Sequence, residues 1–269
     1  MLARASGYHE LTMSFFRLAG LSLLAAVLLA VPAAFAADGY HVIRTYPHST
    51  HAFVQGLVFS HGHLYESDGL YGHSMLREDD LATGRTIKSY RLPAQYFAEG
   101  LTAWGNTLVQ LTWKADIGFV YDRKTFRVLR TFLYDYQGWG LTQNGQSLIE
   151  SDGSDKLRFL NPKTFGVERI LRVTYRGKPV TQLNELEYIH GKIYSNVWMT
   201  NYIVIISPRT GNVLHWISLK GLLPAGAVSN PNAVLNGIAW QPETRQLFVT
   251  GKLWPSLFQI RIIPGPPGK

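Results

Sequence analysis

The chain has 269 residues, no cysteine, 46% hydrophobic and 16% charged residues, and a formal net charge of +8. The missing cysteine excludes a disulfide framework, a thiol nucleophile and a thiolate metal site, so the fold must rest on packing and hydrogen bonds. The basic residues stand singly among strands and turns rather than as a stripe, which argues against a nucleic-acid partner.

The first element in chain order is an apolar run, Leu18 to Ala36, which follows Arg17 and ends in the small-x-small pattern Ala34-Phe35-Ala36. It reads as a secretory signal peptide over residues 1–36, cleaved near Ala36/Ala37, with the start at Met1 or Met13. Export to the periplasm or the exterior follows, with no membrane attachment after cleavage. Cleavage takes away Arg4, Arg17 and Glu10, which leaves a net charge of +7 on residues 37–269. That remainder is long enough for a large core and carries no linker or low-complexity stretch, so it is expected to form one domain.

From Ala37 onward the sequence is short alternating strands broken by Gly, Asn, Asp and Pro, with no amphipathic helix, the pattern of an all-β chain. The strands repeat. "QGLVF" at Gln55, "EGLTAW" at Glu99, "WGLTQ" at Trp139, "NELEY" at Asn184 and "NGIAW" at Asn236 open five units, at spacings of 44, 40, 45 and 52 residues. Turn residues lie seven positions after each opening residue. Fourteen positions after it comes a second shared feature: Gly69 of "SDG", Trp113 of "LTW", Gly153 of "SDG", Trp198 of "NVW" and the "VTGK" around Thr250. In an antiparallel hairpin that turns at its midpoint, two such positions become cross-strand neighbours. Each unit continues with a strand, an Asp/Asn/Ser-x-x-Thr turn and another strand, as in "GFVYDRKTFRV", "LRFLNPKTFGV" and "YIVIISPRTGNV".

Four short strands in 40 to 52 residues describe a β-propeller blade, and five units predict five blades. The last unit runs out after three strands, whereas "YHVIRTYP" at Tyr40 to Pro47 precedes the first unit without a partner. The N-terminal strand is therefore expected to complete the last blade and close the ring, which removes an exposed edge.

In a propeller the first strand of every blade lines the central channel. Gln55, Glu99, Trp139, Asn184 and Asn236, with Trp113, Trp198 and Lys252, should then ring one mouth, with Phe53 and Phe97 beside them. Varied polar groups among aromatics suit a small-molecule pocket better than packing alone. Glu99 lies among aromatic residues, where desolvation should raise its pKa and make it a general acid/base candidate. The other role open to it is structural, pairing with Lys252. Alternative sites are poorer. His61 and His63 share a turn without further clustered ligands, and "SDGSD" at Ser151 to Asp155 lacks the length and terminal Glu of a calcium loop.

The quoted segments, from "YPHSTHAFVQGLVF" through "FAEGLT", "LNELEYIHGKIYSNVW" and "NAVLNGIAW" to "FVTGKLWPSLFQI", resemble the plant and bacterial type of glutaminyl-peptide cyclotransferase (glutamine cyclotransferase). The resemblance covers essentially all of residues 37–269. It implies a five-bladed propeller that converts an N-terminal glutamine of a peptide or protein into pyroglutamate and ammonia without cofactor or catalytic zinc. It places the family's catalytic acid on Glu99 and its pocket on Phe53, Gln55, Phe97, Trp113, Trp139, Asn184, Trp198 and Lys252. The family's Asp-Pro in the first segment is replaced by Ser49-Thr50. A monomer is expected. A non-catalytic propeller that binds a peptide or sugar in its aromatic mouth is the alternative.

Overall fold

The computed structural model describes residues 37–265, so the expected leader lies outside the described residues. Strand β1 (Gly39–Pro47) comes first. Blade 1 is β2 (Val54–Ser60), β3 (His63–Asp68), β4 (Met75–Asp79) and β5 (Thr86–Arg91), and blade 2 is β6 (Ala98–Trp104), β7 (Thr107–Thr112), β8 (Ile117–Asp122) and β9 (Val128–Leu133). Blade 3 is β10 (Leu141–Gln143), β11 (Leu148–Ser151), β12 (Lys156–Leu160) and β13 (Val167–Arg172), followed by a small hairpin of β14 (Thr174–Tyr175) and β15 (Lys178–Pro179). Blade 4 is β16 (Leu183–Ile189), β17 (Lys192–Val197), β18 (Tyr202–Ile206) and β19 (Val213–Ser218). Blade 5 is β20 (Leu235–Gln241), β21 (Gln246–Gly251) and β22 (Ser256–Ile263), and β1 adds antiparallel to β22 from Gly39↔Ile263 to Pro47↔Ser256. The result is the five-bladed, all-β propeller that the repeat predicts, closed by the first strand.

Strands β2, β6, β10, β16 and β20 neighbour one another in ring order, and β20 meets β2. They lie so close because of glycine. A Cβ on Gly100 would stand 2.5 Å from the Leu141 nitrogen of the next blade, and one on Gly140 would overlap the Asn184 carbonyl oxygen. Gly100→Ala should therefore lower stability by about 3 kcal/mol, the upper range for overpacking against a part that cannot yield. A fall in the urea midpoint checks it, and an unchanged midpoint would show that the blades can part.

The core fills the gaps between blades. Val58, Tyr65 and Leu76 of blade 1 pack with Leu101, Leu108, Phe119 and Tyr121 of blade 2, and Val109, Leu111 and Val120 pack with Leu141, Leu148 and Leu160 of blade 3. Asx- and Ser-headed turns close the outer hairpins of blades 2, 3 and 4: Asp122 Oδ1 accepts from Thr125 N at 2.9 Å, Asn161 Oδ1 from Thr164 N at 3.1 Å and Ser207 Oγ from Thr210 N at 3.3 Å. Asp80 and Thr83 of blade 1 repeat the turn at 2.8 Å, a fourth copy of the pattern.

Candidate active site

Four of the five inner strands carry a register shift at their opening residue: between Val54/Gly56, Ala98/Leu101, Leu183/Leu186 and Leu235/Ile238. A bulge re-aims one side chain out of the alternating pattern. It turns Gln55, Glu99 and Asn184 toward one mouth of the channel, where a cavity of about 250 Å³ is lined by nine of the ten residues that the sequence places there, all but Asn236. Trp139 reaches it from the chain just before β10, and Trp113, Trp198 and Lys252 from the residues just after β7, β17 and β21.

The spacing of fourteen holds in blades 1, 2 and 4, where Val54↔Asp68, Ala98↔Thr112 and Leu183↔Val197 pair one residue before each marked position. It fails in blade 5. There the hairpin turns between Gln241 and Gln246 rather than across two residues, and Leu235 pairs with Gly251. Lys252, not Thr250, is thus the partner position of Asn236. Thr250 stands two places earlier, its hydroxyl donating to the Ser256 carbonyl at 2.9 Å. Asn236 itself does not line the pocket: it is fully buried behind Gln55.

The two "SDG" segments have a shared local cause. Ser67 Oγ donates to the Glu99 carbonyl at 2.5 Å, and Ser151 Oγ donates to the Asn184 carbonyl at 2.7 Å, so each serine hooks the next blade's site residue into place. The glycines that follow make room for aromatic rings. A Cβ on Gly69 would strike the Phe97 ring and one on Gly153 would lie 2.7 Å from the Trp139 ring.

The aromatic wall has two parts. Phe53 meets Phe97 edge-on at 6.1 Å between centroids, Phe97 meets Trp113 at 5.7 Å, and Trp139 meets Trp198 at 5.6 Å. Gln137, which the sequence reading did not single out, accepts hydrogen bonds from both indoles, 2.8 Å from Trp113 Nε1 and 3.3 Å from Trp139 Nε1. Met199, Asn232 and Val234 also line the cavity. The last two stand on the connection before β20, and the 52-residue spacing ahead of Asn236 was the signal that this connection is long. Ser49 closes the turn that leads to Phe53: its Oγ accepts from His51 N at 3.2 Å and its carbonyl from Ala52 N at 3.0 Å.

Apart from the exposed Asn232, the polar groups that line the cavity are few and buried. Glu99 is 5% exposed, Gln55 3%, Asn184 3% and Lys252 5%. Gln55 Nε2 donates to Glu99 Oε1 at 3.2 Å. Lys252 Nζ sits 4.7 Å from the centre of the Phe53 ring, a cation–π contact. Burial pushes the Glu99 carboxyl well above the usual carboxylate range, and the Lys252 charge opposes the shift without cancelling it. Burial likewise pushes Lys252 down from 10.5 to about 8, against the pull of Glu99. Asn184 Oδ1 is buried without a hydrogen-bond donor among the described residues, a group a ligand N–H would satisfy. His63, by contrast, pairs with Glu78 at 2.7 Å, and Asp152 of "SDGSD" pairs with Arg158 at 2.7 Å.

Such a site defines a class: an all-β propeller in which a buried carboxyl and a buried amine face an aromatic-lined cavity at one mouth of the channel. Residues 18–262 match the family model described as glutamine cyclotransferase. A glutaminyl-peptide cyclotransferase of Arabidopsis thaliana is 42% identical over 227 residues, which cover 82% of this chain and 70% of that protein. The crystal structure of Myxococcus xanthus glutaminyl cyclase aligns with a TM-score of 0.80 and 41% identity, over 85% of this chain and 98% of that one. The chain belongs to the glutamine cyclotransferase family.

Proposed function

We infer that this protein converts an N-terminal glutamine of a peptide or protein into pyroglutamate with release of ammonia, as an acyltransferase of the aminoacyl type. The observation that carries the chemistry is Glu99, buried, basic for a carboxylate, and facing a cavity enclosed by aromatic rings. Family membership does not favour the alternative of a non-catalytic binding propeller.

The substrate brings both reacting groups. Its α-amine attacks the γ-carbonyl carbon, a C–N bond closes the lactam ring, and the bond to the carboxamide nitrogen breaks. The protein must fold the side chain into attack geometry and move one proton. Trp113, Trp139 and Trp198 enclose the side chain and exclude water. Asn184 Oδ1 accepts from a substrate N–H, and Lys252 faces the oxygen on which negative charge develops. Glu99 takes the proton of the attacking amine and returns it to the departing nitrogen.

The test is to incubate the protein with a Gln-initiated peptide and read the mass. Loss of one ammonia is expected, and expected to persist with a chelator; no loss would favour the binding module, and loss abolished by chelator a metal enzyme. Gln137→Leu frees two indoles and should raise KM about 2- to 10-fold while kcat holds, the range for one or two modest hydrogen bonds. An unchanged KM would leave the tryptophans held by packing alone.

The apolar leader supports export before the enzyme acts, which would place the protein in the periplasm or outside the cell, as a monomer with residues 37–269 as its mature domain. N-terminal sequencing of the exported protein should begin near Ala37. Gel filtration coupled to light scattering reads the oligomeric state.

A further inference from the structure

We propose that Asn236 is a positioning residue for the reaction: it sets the polarity of the Gln55 amide, so that Gln55 turns its N–H group, not its oxygen, toward Glu99. The proposal rests on the reading of Glu99 as the proton-transfer group, and adds a residue outside the pocket wall.

The assignment follows from a chain of three hydrogen bonds that starts at a group of fixed character. The Val54 carbonyl can only accept. Asn236 Nδ2 lies 2.9 Å from it, so the side of the Asn236 amide that faces blade 1 must be its NH₂. The same Nδ2 lies 3.3 Å from Gln55 Oε1. Gln55 therefore presents its oxygen to Asn236 and is left with its own NH₂ for Glu99 Oε1, 3.2 Å away. A main-chain carbonyl on β2 thus dictates, through two carboxamides, that Glu99 receives a donor.

The direction matters because a carboxylate can accept from an N–H, whereas only a protonated carboxyl can bond to an amide oxygen. With Gln55 as donor, the ionised form of Glu99 has a partner in a pocket that otherwise disfavours charge. With Gln55 reversed, the protonated form would be the one satisfied. Asn236 is itself wholly buried and leaves its Oδ1 without a donor among the described residues. A residue kept for packing alone would not need an amide there. Lys252 and Tyr134 are titratable groups that interact with the Glu99 charge. Glu185, on β16, accepts from Ile238 N at 2.9 Å, two residues along from Asn236.

The experiment is a double-mutant cycle read on the ionisation of Glu99. Its side-chain carboxyl is titrated by carbon NMR, with Glu99→Gln as the blank that identifies the resonance, and the pH dependence of kcat/KM is recorded alongside. Asn236→Ala frees the Gln55 amide to reverse, and should lower the ionisation constant of Glu99 about tenfold, one pKa unit upward. The acid limb of kcat/KM should move with it. In a Gln55→Met background the same substitution should change neither, because its whole effect passes through Gln55. A merely structural role would disturb both backgrounds alike. If Asn236→Ala does not fold, Asn236→Ser, which retains a donor for Val54, takes its place in both backgrounds. An unmoved Glu99 titration, or a shift that survives in the Gln55→Met background, overturns the proposal. The NMR titration reports on Glu99 whether or not Glu99 transfers the proton, so failure of the positioning role and failure of the catalytic reading are seen separately.

Discussion

Glu99→Gln protein is expected to fold as the wild type does and to turn over a Gln-initiated peptide about 10² to 10⁴ times more slowly, the range for removing a positioned general acid/base. The substitution changes little but the proton. Glutamine has the shape of glutamate, and its oxygen still accepts from Gln55 Nε2, which lies 3.2 Å from the native carboxylate. Stability should not fall. Burial raises the folded pKa of Glu99 above its unfolded value, so the stability tied to its protonated form is present below the unfolded pKa and lost as pH rises through the folded one. Above the unfolded pKa the raised value therefore costs the fold stability, and the glutamine variant, which has no proton to titrate, should melt at or above the wild-type temperature at neutral pH. Wild-type turnover by purified Glu99→Gln would remove Glu99 from the mechanism, and a loss of activity matched by unfolding would leave it structural.

Lys252→Met should cut kcat/KM at the optimum about 10² to 10³ fold, as does loss of one donor to a developing oxyanion, and should also change the shape of the pH profile. In the wild type the cation is present below its pKa of about 8 and is lost above it, so kcat/KM should decline on that alkaline side. Methionine has no proton to lose, and the alkaline decline should vanish. The acid limb should move the other way along the axis, to higher pH, because Lys252 is the charge that holds the Glu99 pKa down against burial. Steady-state kinetics across the pH range decide the point. A variant that keeps the wild-type alkaline decline would assign that ionisation to another group, and a fully active one would leave Lys252 as a packing partner for Phe53.

Much of this was legible in the residues. The blade count followed from five openings and their spacing, because a blade cannot bury its faces alone and the chain must repeat the same hydrophobic strands to cover each one. Ring closure followed from an unpaired first strand and a missing last one. The pocket residues stood at matched positions because a hairpin returns the chain to its starting end. The spacing misleads where turn length varies. Two additional residues in the blade 5 hairpin displaced the mark from Thr250 to Lys252, since register is set by cross-strand pairing and not by distance along the chain.

The strand period, the blade number, the closure of the ring and the acid that faces aromatic residues could all be read along the chain, because each depends on neighbours within one blade or on the count of blades. What passes between blades emerges only once they are packed side by side. Gln137 ties two tryptophans of different blades together, Ser67 and Ser151 hook the opening residue of the next blade, and Asn236 stands behind Gln55, a residue 181 positions away in the chain, instead of in the pocket wall. The last of these contacts exists because β20 meets β2 when the ring closes, and hydrogen-bond direction across that seam is set by atoms that no single blade contains.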